Sequence, residues 1–93
     1  MIASFRDPET QRLWQTGVSR RLPADLCRRA FKKLAILNAA VMPENLRVPP
    51  GNNLEALRGK RAGQYSIRIN DQYRVCFRWR DGNAFDVEIV DYH

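Results

Sequence analysis

Asp91, Tyr92 and His93 bring a carboxylate, a phenol and the only histidine of this 93-residue sequence into one short run. Upstream, Arg68, Arg74, Arg78 and Arg80 recur at even spacings within stretches that alternate polar and apolar residues. On β-strands this spacing puts guanidinium groups on one face, because side chains point alternately to either side. Planar guanidinium groups grip phosphate oxygens in bidentate fashion, so the face is a candidate cradle for a nucleic-acid backbone. RNA supplies its own nucleophile, the 2′-OH. Its cleavage needs a base, an acid and positive charge around the phosphate, and requires neither metal nor serine nor cysteine. His93 and Asp91 are the candidates for proton transfer, and Tyr92 for positioning or for stacking on a base. Negative charge at Asp91 and at an α-carboxylate beside His93 would favour the imidazolium, which suits protonation of a leaving 5′-oxygen. Plainer roles compete for the same residues. Arg74 can pair with Glu88 or Asp86, Tyr92 can cap the core, and a terminal histidine can stand idle in solvent.

The elements that must hold these residues are written most clearly in the stretch from Tyr73 to His93. Two alternating runs flank Asp81-Gly82-Asn83, the pattern of a β-hairpin. Tyr73, Val75, Phe77 and Trp79 share one face of the first run, and Arg74, Cys76, Arg78 and Arg80 the other. In the second run Phe85, Val87 and Ile89 are expected on one face and Asp86, Glu88 and Val90 on the other, so that charges pair across the ladder. Gln64 to Asn70 alternates in the same way, with Tyr65, Ile67 and Ile69 inward and Gln64, Ser66, Arg68 and Asn70 outward, and Asn70-Asp71-Gln72 forms a turn. The arginine-bearing side of the sheet is expected to be open.

Earlier in the chain, Ile2 to Phe5 suits a short strand joining the sheet. Asp7-Pro8-Glu9 reads as a helix start, with Asp7 as N-cap, Leu13 and Trp14 facing inward and Gly17 closing the helix. A second helix begins at Leu22-Pro23-Ala24-Asp25 and buries Leu26, Cys27, Ala30, Phe31, Leu34 and Leu37. Its other side carries the like-charged pairs Arg28/Lys32 and Arg29/Lys33, which call for solvent or an anion nearby. Prolines between Met42 and Asn53 exclude long regular structure there. Leu54 to Arg58 is a short strand or turn. In Gly59-Lys60-Arg61-Ala62-Gly63, two glycines around two cations suit either phosphate approach or a flexible connection, without the spacing of a known phosphate-loop fingerprint. The order strand, helix, helix, antiparallel strands predicts a single α+β domain over residues 1–93, with two helices packed on one face of a curved antiparallel sheet.

Composition narrows the function classes. Sixteen Lys and Arg against ten Asp and Glu leave a net charge of +6, which fits a polyanionic partner or simple solubility. Cys27 and Cys76 make no disulfide framework and no metal-ligand spacing, and no metal or cofactor is expected. No signal-peptide pattern or bilayer-length apolar stretch is present, which points to a reduced, cytoplasmic setting without a membrane partner.

The run from Asn52 to Trp79 (N-N-L-E-A-L-R-G-K-R-A-G-Q-Y-S-I-R-I-N-D-Q-Y-R-V-C-F-R-W), with V-E-I-V-D-Y-H at the end and P-P-G-N at Pro49 to Asn52, resembles the HigB-type toxins of the RelE/ParE superfamily. The resemblance spans nearly the whole chain. It implies the RelE/ParE-like fold and a toxin that cleaves mRNA on the translating ribosome. A helix-turn-helix antitoxin of the HigA type would neutralise it and link it indirectly to operator DNA. It also implies an active site at Asp91, Tyr92 and His93, which Arg58 joins, while the residue pattern itself offers Arg68, Arg74, Arg78, Lys60 and Arg61 to the RNA phosphates. Where nuclease members place a histidine and a lysine before the glycine turn, this chain has Glu55 and Arg58. Arg58 keeps the phosphate-stabilising charge, whereas Glu55 cannot act as a cation and is at most accessory. A weaker or differently arranged nuclease is therefore one alternative, and a non-nuclease or gyrase-directed toxin of the same fold another.

Overall fold

The computed structural model describes residues 1–91; two predicted site residues, Tyr92 and His93, lie outside the described residues. Helix α1 spans Pro8–Thr16. Asp7 caps it as the sequence predicts, its Oδ1 accepting from the Thr10 backbone N–H at 2.6 Å. Gly17 ends it at φ 81°, its N–H donating to the Leu13 carbonyl. Helix α2 spans Ala24–Ala39 and buries Leu26, Cys27, Ala30, Leu34 and Leu37. Phe31, also expected inside, is only half-buried and stacks on Trp14 of α1 at 5.2 Å.

Strands β1 (Glu55–Ala56), β2 (Gln64–Arg68), β3 (Tyr73–Arg80) and β4 (Asn83–Asp91) form one antiparallel sheet in sequence order. The segment before α1 does not become a full strand. Ile2 and Phe5 each make a single parallel bridge to β4, at Ala84 and Val87. The helices cover one face of the sheet, and the core between them includes Leu13, Leu34, Leu37, Ile67, Val75, Phe77 and Val87, all fully buried. Burying such side chains contributes roughly 1.5–3 kcal/mol each, so this face dominates stability. Among the described residues no helix is long and apolar enough to cross a membrane.

The proline-rich link holds only two single 3-10 turns, Pro43–Arg47 and Pro50–Asn52. Leu46 and Asn52 are fully buried. Asn52 satisfies its amide inside by donating to the Leu46 and Val48 carbonyls at 3.2 and 3.4 Å and accepting from Lys33 Nζ. Half of the cationic row on α2 is thereby tied down. Lys33 reaches the loop and Arg29 donates to the Ile69 carbonyl at 3.0 Å, while Arg28 and Lys32 face solvent.

The β3–β4 hairpin turns on Asp81 and Gly82, with φ 54° and 79°. Positive φ at both central residues is what a two-residue type I′ turn requires, and glycine meets it without a Cβ clash. The regular alternation expected along β4 does not hold. Between Cys76↔Glu88 and Arg78↔Phe85, β4 carries an extra residue, and Asp86 takes φ 52°. Such a bulge shifts the facing of every residue beyond it. Ala84, Val87 and Ile89 therefore face the helices, and Phe85 lies beside Arg78 on the opposite face, where the Arg80 guanidinium sits 4.5 Å over its ring.

Candidate nucleic-acid interface

The face turned away from the helices is built from rows of directly opposed residues, whose side chains share a side. One row runs Glu55, Ser66, Cys76, Glu88 across all four strands. On one flank stand Arg68, Arg74 and Val90, and on the other Gln64, Arg78 and Phe85. The sequence reading of an open face is corrected here: Ser66 and Cys76 are 0% exposed and Gln64 only 7%. Their cover is the charged layer itself. Arg61 Nη1 donates to Gln64 Oε1 at 3.0 Å and to Glu88 Oε2 at 3.3 Å, while Arg74 Nη1 donates to Ser66 Oγ at 3.4 Å. Guanidinium groups suit this role, because their apolar stems pack inward while their N–H forks stay at the surface.

The charge pairing also differs from the expected one. The strand pattern offers Arg74 to Glu88 or Asp86, yet among the described residues it forms an ion pair with Glu55 at 3.3 Å, reached across β2. Glu88 instead serves Arg61 at 3.3 Å and Arg6 at 3.4 Å. Arg78 pairs with Asp86 at 3.8 Å, and Arg68 with Asp71 at the β2–β3 turn. Arg68 and Arg74 stand directly opposite each other in register, a repulsion that Asp71 and Glu55 offset. Burial pushes the Cys76 thiol above its ordinary value; Arg61 and Arg74 pull against the shift and Glu88 adds to it. Burial, then the charges of Arg29 and Arg68, hold the Lys33 amine below its ordinary value.

The glycine-flanked loop rims this layer. Arg58 and Lys60 are exposed at a single 3-10 turn, Gly59–Arg61, which Arg58 precedes. Gly63 closes the loop at φ 89°, a conformation that favours glycine, and a Cβ there would lie 3.0 Å from the mobile end of Arg78, at Nη1. Arg61, Arg68, Arg74 and Arg78 thus line one side of the sheet, with Glu55 among them, and Arg58 and Lys60 are exposed in the loop that carries Arg61. Asp91 does not join them. It stands opposite Tyr73, on the helix side, accepts from Gln72 Nε2 at 3.2 Å, and lines a groove of about 280 Å³ with Glu9, Thr10, Arg21, Leu22 and Ile89. The roles expected of Tyr92 and His93 fall outside the described residues.

Residues 3–93 match the family model of HigB-like toxins, described as RelE-like toxins of type II toxin–antitoxin systems. The chain belongs to this family. It is 40% identical over 87 residues to Toxin HigB-1 of Vibrio cholerae, covering 92% of each protein, and 29% identical over 93 residues to Endoribonuclease HigB of Proteus vulgaris, covering 100% of each. In fold it is similar to the YoeB–YefM complex from Staphylococcus aureus, with a TM-score of 0.63 at 15% identity over 100% of this chain and 98% of that one. The protein is thus a HigB toxin of a type II system, with an antitoxin as partner, on the α+β RelE-like fold that its sequence predicts.

For this toxin, sequence reasoning missed Arg6 as a member of the cationic layer. Arg6 lies outside the strands, and the docking of its segment on β4, through the bridge of Phe5 to Val87 and the Arg6 N–H donating to the Val87 carbonyl at 2.9 Å, carries it to Glu88. Its position just before the Asp7-Pro8 helix start was the one available signal.

Proposed function

We propose that this toxin is an endoribonuclease that cleaves mRNA on the translating ribosome by attack of the 2′-OH on the scissile phosphate, without a metal ion. The observation that carries this reading is the arginine layer on the sheet face. Exposed Arg58 and Lys60 stand at its rim, Arg61 and Arg78 lie over its flank, and Arg68 and Arg74 close its far end. Such a layer neutralises a backbone and stabilises charge that grows on the phosphate in the transition state. The likeness to the Proteus vulgaris endoribonuclease supports the same chemistry. In this account a water molecule takes the proton of the attacking 2′-OH, His93 protonates the leaving 5′-oxygen, Tyr92 positions the nucleotide and Arg58 stabilises the phosphate. Asp91, with its bond to Gln72 on the helix side, orients the segment that carries the other two. Glu55 anchors Arg74 rather than moving a proton. The antitoxin is of the helix-turn-helix HigA type and carries the toxin indirectly to operator DNA, and the setting is the cytoplasm.

One observation favours a second reading. Arg74, the most enclosed of the ion-paired arginines with 14% of its side chain exposed, is committed to Glu55, which leaves fewer donors for RNA and suits a toxin directed at another target such as gyrase. Mapping the 5′ ends of mRNA after induction separates the two. Discrete cuts within translated frames, lost in His93→Gln, are the expected result. Intact mRNA accompanied by DNA damage would establish the second reading.

A further inference from the structure

We propose that Glu88 is a positioning residue for the RNA reaction, holding Arg6 and Arg61 as a preset pair of phosphate contacts. The inference rests on the arginine layer being the RNA-binding face. Both arginines converge on the same carboxylate oxygen, Arg6 through Nε at 3.4 Å and Arg61 through Nη1 at 3.3 Å. Glu88 lies beneath them, with 15% of its side chain exposed against 57% for Arg6 and 35% for Arg61. The carboxylate is therefore the floor and the guanidinium groups the surface. Arg6 meets the carboxylate as an ion pair, and among the described residues its guanidinium makes no hydrogen bond. One carboxylate under two guanidinium groups leaves the cluster with a charge of +1, which a phosphodiester would neutralise.

The backbone also argues for a built arrangement. Arg6 is anchored through its N–H to the carbonyl of Val87, the residue before Glu88, so the acid and its first arginine are fixed to each other. Arg61 is held a second time by the buried Gln64. Guanidinium groups fixed in advance need no reorganisation as charge develops on a phosphate, whereas loose ones bind RNA without aligning on it. Removing the carboxylate should thus separate binding from turnover. Glu88→Gln removes the negative charge beneath the arginines, raising the net charge of the face by one while weakening the hold on both.

The test is ribosome-dependent mRNA cleavage by the full-length toxin, with kcat and KM measured separately and melting temperature as control. Glu88→Gln is expected to lower kcat at least tenfold with KM unchanged or reduced, and Glu88→Asp, which keeps the charge one methylene shorter, to recover part of kcat. Arg6→Ala is expected to raise KM several-fold and make its salt dependence shallower. A Glu88→Gln toxin with wild-type kcat would overturn the proposal. So would a kcat loss matched by a fall in melting temperature, or a Glu88→Asp toxin no better than Glu88→Gln. If Glu88→Gln fails to fold, Glu88→Asp carries the test: wild-type kcat at wild-type stability overturns the proposal, and reduced kcat at wild-type stability supports it. Absence of cleavage by the wild-type toxin would overturn the nuclease reading and this proposal with it, whereas wild-type cleavage with unaltered Glu88 variants would overturn this proposal alone.

Discussion

The two faces of the sheet are both buried at their centres, yet by different means. On the helix side Ile67, Val75 and Phe77 are enclosed by apolar side chains of α1 and α2. On the other side Ser66 and Cys76 are enclosed just as fully, beneath guanidinium groups and two glutamates. Apolar contact is non-directional and contributes in proportion to area. Ion pairs at a surface contribute little to stability but fix where charges stand. The contrast gives folding to the first face and, on the proposed function, recognition to the second, so that mutations on the two sides are expected to fail in different ways.

The most severe break should come from the core. Phe77→Ala is expected to cost about 3–5 kcal/mol of stability, read by urea unfolding, and to lower activity only in step with the folded fraction. On the opposite face, Arg58→Ala and Arg74→Ala should remove about 2–4 kcal/mol of transition-state stabilisation while Arg58→Ala leaves the melting temperature unchanged. Cleavage assays set beside thermal melts check this. Losses no larger than those of Arg28→Ala and Lys32→Ala on α2 would remove any special role from the sheet face. Smaller still is the effect of Asp7→Ala, about 1 kcal/mol of stability through the lost N-cap, visible in the melt and absent from turnover per folded molecule.

The subtlest prediction concerns Cys76 beneath the arginine layer. Burial raises its thiol above the ordinary 9.0, so the unfolded chain releases this proton first as pH climbs. The stability it contributes is full below that value and is lost as pH rises from it through the folded-state value. Cys76→Ala should therefore flatten the alkaline end of the stability curve relative to wild type in denaturant titrations between pH 8 and about 10.5. An unchanged slope would mean that the thiol is not shielded as the packing implies.

Much of the fold was legible because local chemistry dictated it. Asp7 before Pro8, Gly17 after α1 and Asp81-Gly82 between alternating runs each encode a backbone conformation within a few residues. What was not legible depended on contacts between distant segments. The bulge at Asp86 has no glycine to announce it, and it moved Phe85 to the arginine face. The pairing of Arg74 with Glu55 follows from the register of β1 on β2, which a two-residue strand does not specify. The cationic layer was visible as alternating arginines, but its buried floor was not, because sequence alternation cannot show that side chains from a loop and from the chain start fold over a sheet. Asp91 stands out in the sequence as a carboxylate beside Tyr92 and His93, and its register opposite Tyr73, which only the strand pairing gives, puts it on the helix side.

The central claim is that cationic side chains and a proton donor, with the 2′-OH as nucleophile, suffice for cleavage. The ends of the RNA products test it most directly. Cleavage of mRNA on purified ribosomes by the toxin should leave a 2′,3′-cyclic phosphate, or the monophosphate formed when it opens, on the upstream fragment and a free 5′-OH on the downstream one. A 5′-phosphate on the downstream fragment and a 3′-OH on the upstream one would show that water attacked instead, and would contradict the account.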